Sequence, residues 1–213
     1  MHTSNTRALN EVSEGAKEDK TGWSAFLRHL VDHGLKGLQL VISDACRGLV
    51  ESIADFLPEA RYQRCMVHFY RNVFSHVPST RVREVSHMLK AIHAQESREA
   101  ADNTAKAIVD DLRASKMGKA ADLVEQAVHE TLTYYGFPDI HWQKIRTNNP
   151  LELIMKEIRR RTRVVGAFPD GQSCLNLAAA RLRYIARTTW SAKCCMNMRP
   201  LYQQYLSETE AVA

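Results

Sequence analysis

Apolar side chains recur at spacings of three and four from Trp23 through Phe26, Leu27 and Leu30 to Val31, which predicts one face of a helix that Gly34 would end. The run Leu38-Gln39-Leu40-Val41-Ile42 then reads as a strand over 38–43. A second helix is expected after Asp44, with Leu49, Ile53, Phe56 and Leu57 on one face and Pro58 as its stop. Residues 61–67 (Arg-Tyr-Gln-Arg-Cys-Met-Val) read as another short strand. Helix, strand, helix, strand in that order predicts a parallel α/β arrangement with a right-handed crossover.

From Pro78 to Tyr135 the periodicity is helical alone. Its three groups are Val82, Val85, Met88, Leu89 and Ile92; then Ala100, Ala107, Ile108 and Leu112; then Leu123, Val124, Ala127, Val128 and Leu132. The segment from Asn149 to about Tyr205 is helical too, broken between Gly166 and Gly171. Four stretches are therefore expected: a loosely ordered, polar start (1–20), a partial α/β core (21–77), an all-helical insertion (78–140) and a C-terminal helical part (141–213). The fold class is α/β, predominantly helical overall.

Charge sharpens this picture because it is concentrated. The net charge is +5, and between Lys144 and Arg163 seven basic residues (Lys144, Arg146, Lys156, Arg159, Arg160, Arg161, Arg163) stand against two acidic ones, Glu152 and Glu157. Such a stretch is either a solvated helix face or a phosphate-binding one. Five irregularly spaced cysteines and a polar start containing Glu point to free thiols in a reducing compartment, and no apolar run is long enough to span a bilayer.

Two carboxylates occupy positions that metal-dependent phosphodiester chemistry would use. Asp44 closes the first strand, where ligands of open α/β sheets collect, although Ser43-Asp44 would also serve as a helix cap. Glu152 lies near the start of the basic helix. There Asn149 as cap, Pro150 as first helical residue and Glu152 three positions after the cap would make a capping box. Leu151, Ile154 and Ile158 are expected to form the buried stripe of that helix, leaving Lys156, Arg159, Arg160 and Arg163 near Glu152. Cys65 and His68 have the spacing of half a zinc site. No second closely spaced pair accompanies them, and Cys194-Cys195 lie far along the chain, so a structural role is preferred over zinc. Neither a Ser-His-Asp or Cys-His grouping nor a Gly-rich phosphate loop is recognisable.

Three blocks together resemble the Mutator-type transposases of bacterial insertion sequences, which have a DDE catalytic core. Val41 to Leu49 is similar to the family's second-aspartate block, Tyr62 to Asn72 to its Cys-x-x-His block, and Thr147 to Glu152, continuing into Lys156 to Gly166, to its glutamate block. The resemblance runs from about residue 12 to the end. It implies an RNase-H-like sheet with a helical insertion, and DNA strand cleavage and joining with Mg²⁺ or Mn²⁺. Asp44 and Glu152 would be catalytic residues and metal ligands. Lys156, Arg159, Arg160, Arg161 and Arg163 would contact DNA, and Cys65, His68, Arg71 and Asn72 would belong to a structural or positioning motif.

The chain departs from the family at Leu153 and Met155, where Arg and Asn are common. The family's first aspartate lies on a strand upstream of Glu14 to Asp19, and none of Glu11, Glu14, Glu18 or Asp19 ends an apolar strand. The resulting expectation is an N-terminally truncated transposase, cytoplasmic and nucleoid-associated, that binds DNA but is inactive alone. It is expected to form a homo-oligomer or to pair with full-length transposase; one alternative is a non-catalytic DNA-binding or transposase-interacting regulatory module. A decayed fragment that aggregates is the remaining alternative.

Overall fold

The computed structural model describes residues 19–188 and 196–212, the side chains of Pro150, Tyr205 and residues 208–212 excepted. The expectation for residues 1–20 falls almost wholly outside this range, as do Cys194 and Cys195. The chain divides into two compact units. One takes in the stretch up to Leu38, Cys46–Ala60 and Asn148–Asn197; the other takes in Gln39–Ala45, Arg61–Thr147 and the stretch from Met198.

In the first unit, Asp19 opens helix α1 (Lys20–Asp32) by accepting a hydrogen bond from the Gly22 N–H at 2.9 Å, which satisfies a donor that the helix start would leave over. The helix ends where the spacing predicts, and Gly34 turns the chain away with φ +94°. Its partner is α2 (Arg47–Phe56), and Leu27, Leu49 and Ile53 are buried. Val31, expected on the same face, stays 37% exposed.

Close approach of α1 and α2 depends on small side chains. The Ser24 and Ser52 hydroxyls lie 3.1 Å apart, and Ser52 donates to the Gly48 carbonyl at 2.7 Å. A Cβ at Gly48 would stand 2.6 Å from the Asp19 carbonyl carbon and 2.7 Å from the Lys20 nitrogen. Lys20 and Asp55 pair at 3.0 Å, but both are half exposed, so this contact contributes about 1 kcal/mol at most. The same unit holds α8 (Asn149–Val165) and α9 (Gly171–Ala186), which pack together; Asp170 caps α9 by accepting from the Ser173 N–H at 2.6 Å.

The second unit is built on two parallel strands, β1 (Leu40–Ser43) and β2 (Arg61–Arg64), in the register Leu40↔Arg61 to Ser43↔Arg64. Arg61 N–H to Gln39 carbonyl (3.0 Å) and Cys65 N–H to Ser43 carbonyl (2.7 Å) continue the ladder at either end. This two-stranded sheet is the α/β element expected; the described residues contain no further strand. β2 is shorter than the sequence suggests. Its apolar continuation Cys65-Met66-Val67 turns instead into helix α3 (Met66–Phe74), because Cys65, Phe69 and Val73 recur at a spacing of four and all three are fully buried.

Only helical elements follow. They are a 3₁₀ turn (Ser79–Arg81), α4 (Val82–Ile92), α5 (Arg98–Ala114), α6 (Gly118–Ala127), a 3₁₀ stretch (Val128–Gly136), α7 (Asp139–Ile145) and, near the chain end, α10 (Arg199–Val212). The three expected apolar groups fall on α4, α5 and α6, except that the third does not stay α-helical past Ala127. Val85, Leu89, Ile92, Leu112, Val124 and Leu132 are fully buried in this core. A buried polar chain runs through it. His93 contacts the Tyr70 hydroxyl (2.8 Å) through Nδ1 and the Thr131 hydroxyl (2.9 Å) through Nε2, and Thr131 donates to the Val128 carbonyl (2.6 Å). No described helix is long and apolar enough to cross a membrane.

Candidate functional site

Asp44 follows directly on β1 and is exposed. Its backbone carbonyl accepts from the Tyr62 hydroxyl at 2.9 Å and from the Ser43 hydroxyl at 2.6 Å, which ties the strand end to β2. Burial raises the Tyr62 hydroxyl above its ordinary range, which keeps it protonated as the donor. The capping alternative for Asp44 does not hold: the N-cap of α2 is Cys46, and its side chain makes no capping hydrogen bond.

The Cys-x-x-His block lies at the start of α3 rather than at a strand end. Cys65 is its N-cap residue and fully buried, while His68 is half-buried in the first turn. Arg71 and Asn72 are exposed three and four positions after His68, so these three side chains share one flank of the helix. The Met66 N–H is taken by the Arg146 carbonyl at 3.0 Å, fixing the helix start against the end of α7. Among the described residues Cys46, Cys65 and Cys174 take part in no disulfide.

Glu152 lies in the first turn of α8, but not in a capping box. The cap residue is Asn148, Asn149 is already helical, and the Asn148 side chain makes no capping hydrogen bond. Glu152 is thus four positions past the cap, and its N–H bonds to the Asn148 carbonyl at 3.1 Å. The buried stripe also differs from expectation. Ile154 is buried and Ile158 half-buried, but Leu151 is 53% exposed, as are the neighbouring Leu153 (63%) and Met155 (39%).

The five basic residues assigned to α8 fall into two sets. Lys156, Arg159 and Arg163 follow Glu152 at i+4, i+7 and i+11, one stripe on the side away from Ile154; all three are exposed and make no ion pair among the described residues. Arg160 and Arg161 turn to Glu157 instead. Arg160 holds both oxygens of that carboxylate, Nε at 2.8 Å and Nη2 at 3.0 Å, and Arg161 Nε approaches at 3.3 Å. A third guanidinium arrives from α9: Arg181 Nη2 lies 2.5 Å from the same carboxylate, with its Cζ 4.5 Å from the Tyr184 ring centre. Hydrogen bonding from Arg160, then from Arg161, holds the Glu157 carboxyl down to about 2.

Asp44 and the Cys65 block belong to one unit, and Glu152 with the basic helix to the other. Among the described residues no three His, Cys, Asp or Glu side chains form a group able to hold a metal ion. Sequence reasoning missed Arg181 entirely. Glu157 was legible, since acid-x-x-Arg-Arg spacing on a helix predicts i+3 and i+4 pairs.

Comparison with known proteins bears on what this arrangement serves. The family model described as "Transposase, Mutator family" matches residues 6–191. The transposase for insertion sequence element ISRM5 of Rhizobium meliloti (strain 1021) is 34% identical over 174 residues, which cover 82% of this chain and 44% of that protein. The transposase for IS1081 of Mycobacterium tuberculosis is 39% identical over 176 residues, 83% of this chain and 42% of the relative. The transposase for IS406 of Burkholderia multivorans is 33% identical over 201 residues, 94% and 52% respectively. The chain therefore spans about half the length of these relatives, and with three-quarters or more of its own sequence matched it belongs to the Mutator family of transposases.

Proposed function

We propose that this chain is the DNA-engaging part of an insertion-sequence transposase, acting in DNA cleavage and strand transfer during transposition. The observation that carries the reading is the stripe Glu152, Lys156, Arg159 and Arg163 on α8, in which three exposed cations that make no ion pair among the described residues follow a carboxylate. Unpaired, solvent-facing cations in a row are what a phosphate backbone needs, since each neutralised phosphate releases a counterion. The two parallel strands fit a portion of an RNase-H-like sheet, with Asp44 at the strand end where such folds collect oxygen ligands.

In this reading Asp44 and Glu152 are oxygen donors toward Mg²⁺ or Mn²⁺, in a DDE-type site that needs at least one further carboxylate. Two-metal phosphodiester chemistry requires several anionic ligands around its ions, so the chain alone binds DNA without cutting or joining it. Cys65 stands at the buried start of α3, and His68, Arg71 and Asn72 present a polar flank of that helix. The chain's partners are DNA, a second copy of itself or a full-length transposase, which would place it with the nucleoid in the cytoplasm.

The test has two arms. Duplex carrying element ends is incubated with the purified chain and Mg²⁺ or Mn²⁺, and cleaved and joined products are scored; separately, binding is followed as salt is raised. Salt-dependent binding without products is the expected result. Robust strand transfer by the chain alone would overturn the inactivity, and absence of any DNA binding would overturn the reading as a whole.

A further inference from the structure

Three guanidinium groups converge on one carboxylate between α8 and α9. The Glu157 oxygens receive four hydrogen bonds: two from Arg160, one from Arg161 and one from Arg181. Three positive charges and one negative leave this cluster at +2, so the carboxylate does not neutralise it. Isolated exposed i+3 and i+4 pairs contribute little, because solvent screens them. The Arg181 contact is of another kind. It joins two helices, and the Arg181 and Glu157 side chains are only 21% and 25% exposed. Arg181 is further fixed over the Tyr184 ring, and its Nε is buried without a hydrogen bond among the described residues. One donor of a prearranged guanidinium is therefore unused.

We propose that Arg160, Arg161 and Arg181 form a phosphate-binding clamp occupied in the resting chain by its own Glu157 carboxylate, which makes Glu157 a built-in competitor of the DNA backbone. The chemistry matches on both sides. Guanidinium forks bind carboxylate and phosphate in the same bidentate manner, and a phosphodiester offers more acceptor lone pairs to three forks than one carboxylate does. The strong hold on Glu157 keeps it ionised throughout the neutral range. It therefore competes at all working pH values and yields only to an anion at high local concentration, such as a nucleic-acid backbone already engaged by Lys156, Arg159 and Arg163. This clamp rests on the DNA-engaging reading of α8 and adds Arg181 of α9 to it.

Glu157→Gln separates the clamp from a purely structural ion cluster. The expected result is binding to a short duplex about tenfold tighter at low salt, a salt slope steeper by about one unit, and new binding of inorganic phosphate, all removed when Arg181→Gln is added. Unchanged or weaker binding by a variant that keeps its helical circular dichroism overturns the proposal. Should the variant lose its helices, the Nε–H resonances of Arg160 and Arg161 in the unaltered chain answer the question: they move as duplex is added if the clamp opens, and constancy of both overturns it. The phosphate arm stands apart from the DNA reading. Phosphate binding by Glu157→Gln without any duplex binding keeps the clamp and refutes the DNA assignment, whereas duplex binding indifferent to Glu157 does the reverse.

Discussion

The side-chain amide of Gln63 donates to the backbone carbonyl of Thr131 at 2.8 Å, and its oxygen accepts from the Tyr134 N–H at 2.9 Å. A fully buried side chain of β2 thus does for the 3₁₀ stretch what a neighbouring strand would do, pairing one carbonyl and one N–H. Replacing it with Leu fills the space but strands both backbone groups away from water. Gln63→Leu is expected to lower stability by about 2–6 kcal/mol, since each of the two unsatisfied buried groups costs about 1–3 kcal/mol. An unchanged urea midpoint would contradict that.

Gly48 carries a sign reversal. In most helices Gly→Ala gains about 0.5–1 kcal/mol by restricting the unfolded chain. Here the new methyl would meet the backbone at Asp19 and Lys20 at 2.6 and 2.7 Å, and backbone cannot swing aside. Overpacking of this kind costs about 1–3 kcal/mol, so Gly48→Ala should be net destabilising. Faster amide exchange in α1 would locate the damage, and a raised melting temperature would disprove the close approach.

Burial holds His93 down from its ordinary value near 6.5 to about 4. A base depressed in the folded chain is neutral there while the unfolded chain takes up a proton. Stability is therefore level above pH 6.5, declines as pH falls from about 6.5 to about 4, and levels off below; the loss is on the order of 3 kcal/mol. Glu157 acts in a lower window, its contribution disappearing as pH falls from about 4.5 toward about 2. Denaturant midpoints measured across pH should show the upper decline in the native chain. In His93→Gln that decline should be missing.

Lys156, Arg159 and Arg163 should each account for about one phosphate, so replacing any one with Gln should reduce the magnitude of the salt slope by about 0.9. Charge reversal of all three should abolish duplex binding at physiological salt while leaving the melting curve in place, because none is ion-paired among the described residues. Fluorescence anisotropy against salt decides this, and equal slopes in variant and native chains would remove α8 from the interface.

Much of this molecule was legible in advance for identifiable reasons. α1, β1 and α2 announce themselves because apolar residues recur from Trp23 to Leu30 and run unbroken from Leu40 to Ile42, with Gly34 and Pro58 as punctuation, although β1 begins at Leu40 and not at the expected 38. The start of α3 was misread because Cys65-Met66-Val67 is apolar without interruption, and only the buried spacing of Cys65, Phe69 and Val73 distinguishes helix from strand. Leu151 was placed in the buried stripe on periodicity alone, but periodicity fixes a direction and does not guarantee that something packs there. The charge concentration at 144–163 was plain, and the Arg160 and Arg161 pairs with Glu157 follow from i+3 and i+4 spacing, whereas the third partner, Arg181, lies some twenty residues further on and no local pattern connects it to Glu157.

Cys65 is fully buried at the start of α3, while Cys46 and Cys174 are only partly covered. An alkylating reagent should therefore modify Cys46 and Cys174 promptly and reach Cys65 only when the start of α3 opens. Its labelling rate would serve as an internal clock for the opening of the strand-bearing unit, readable by mass spectrometry in the unaltered chain.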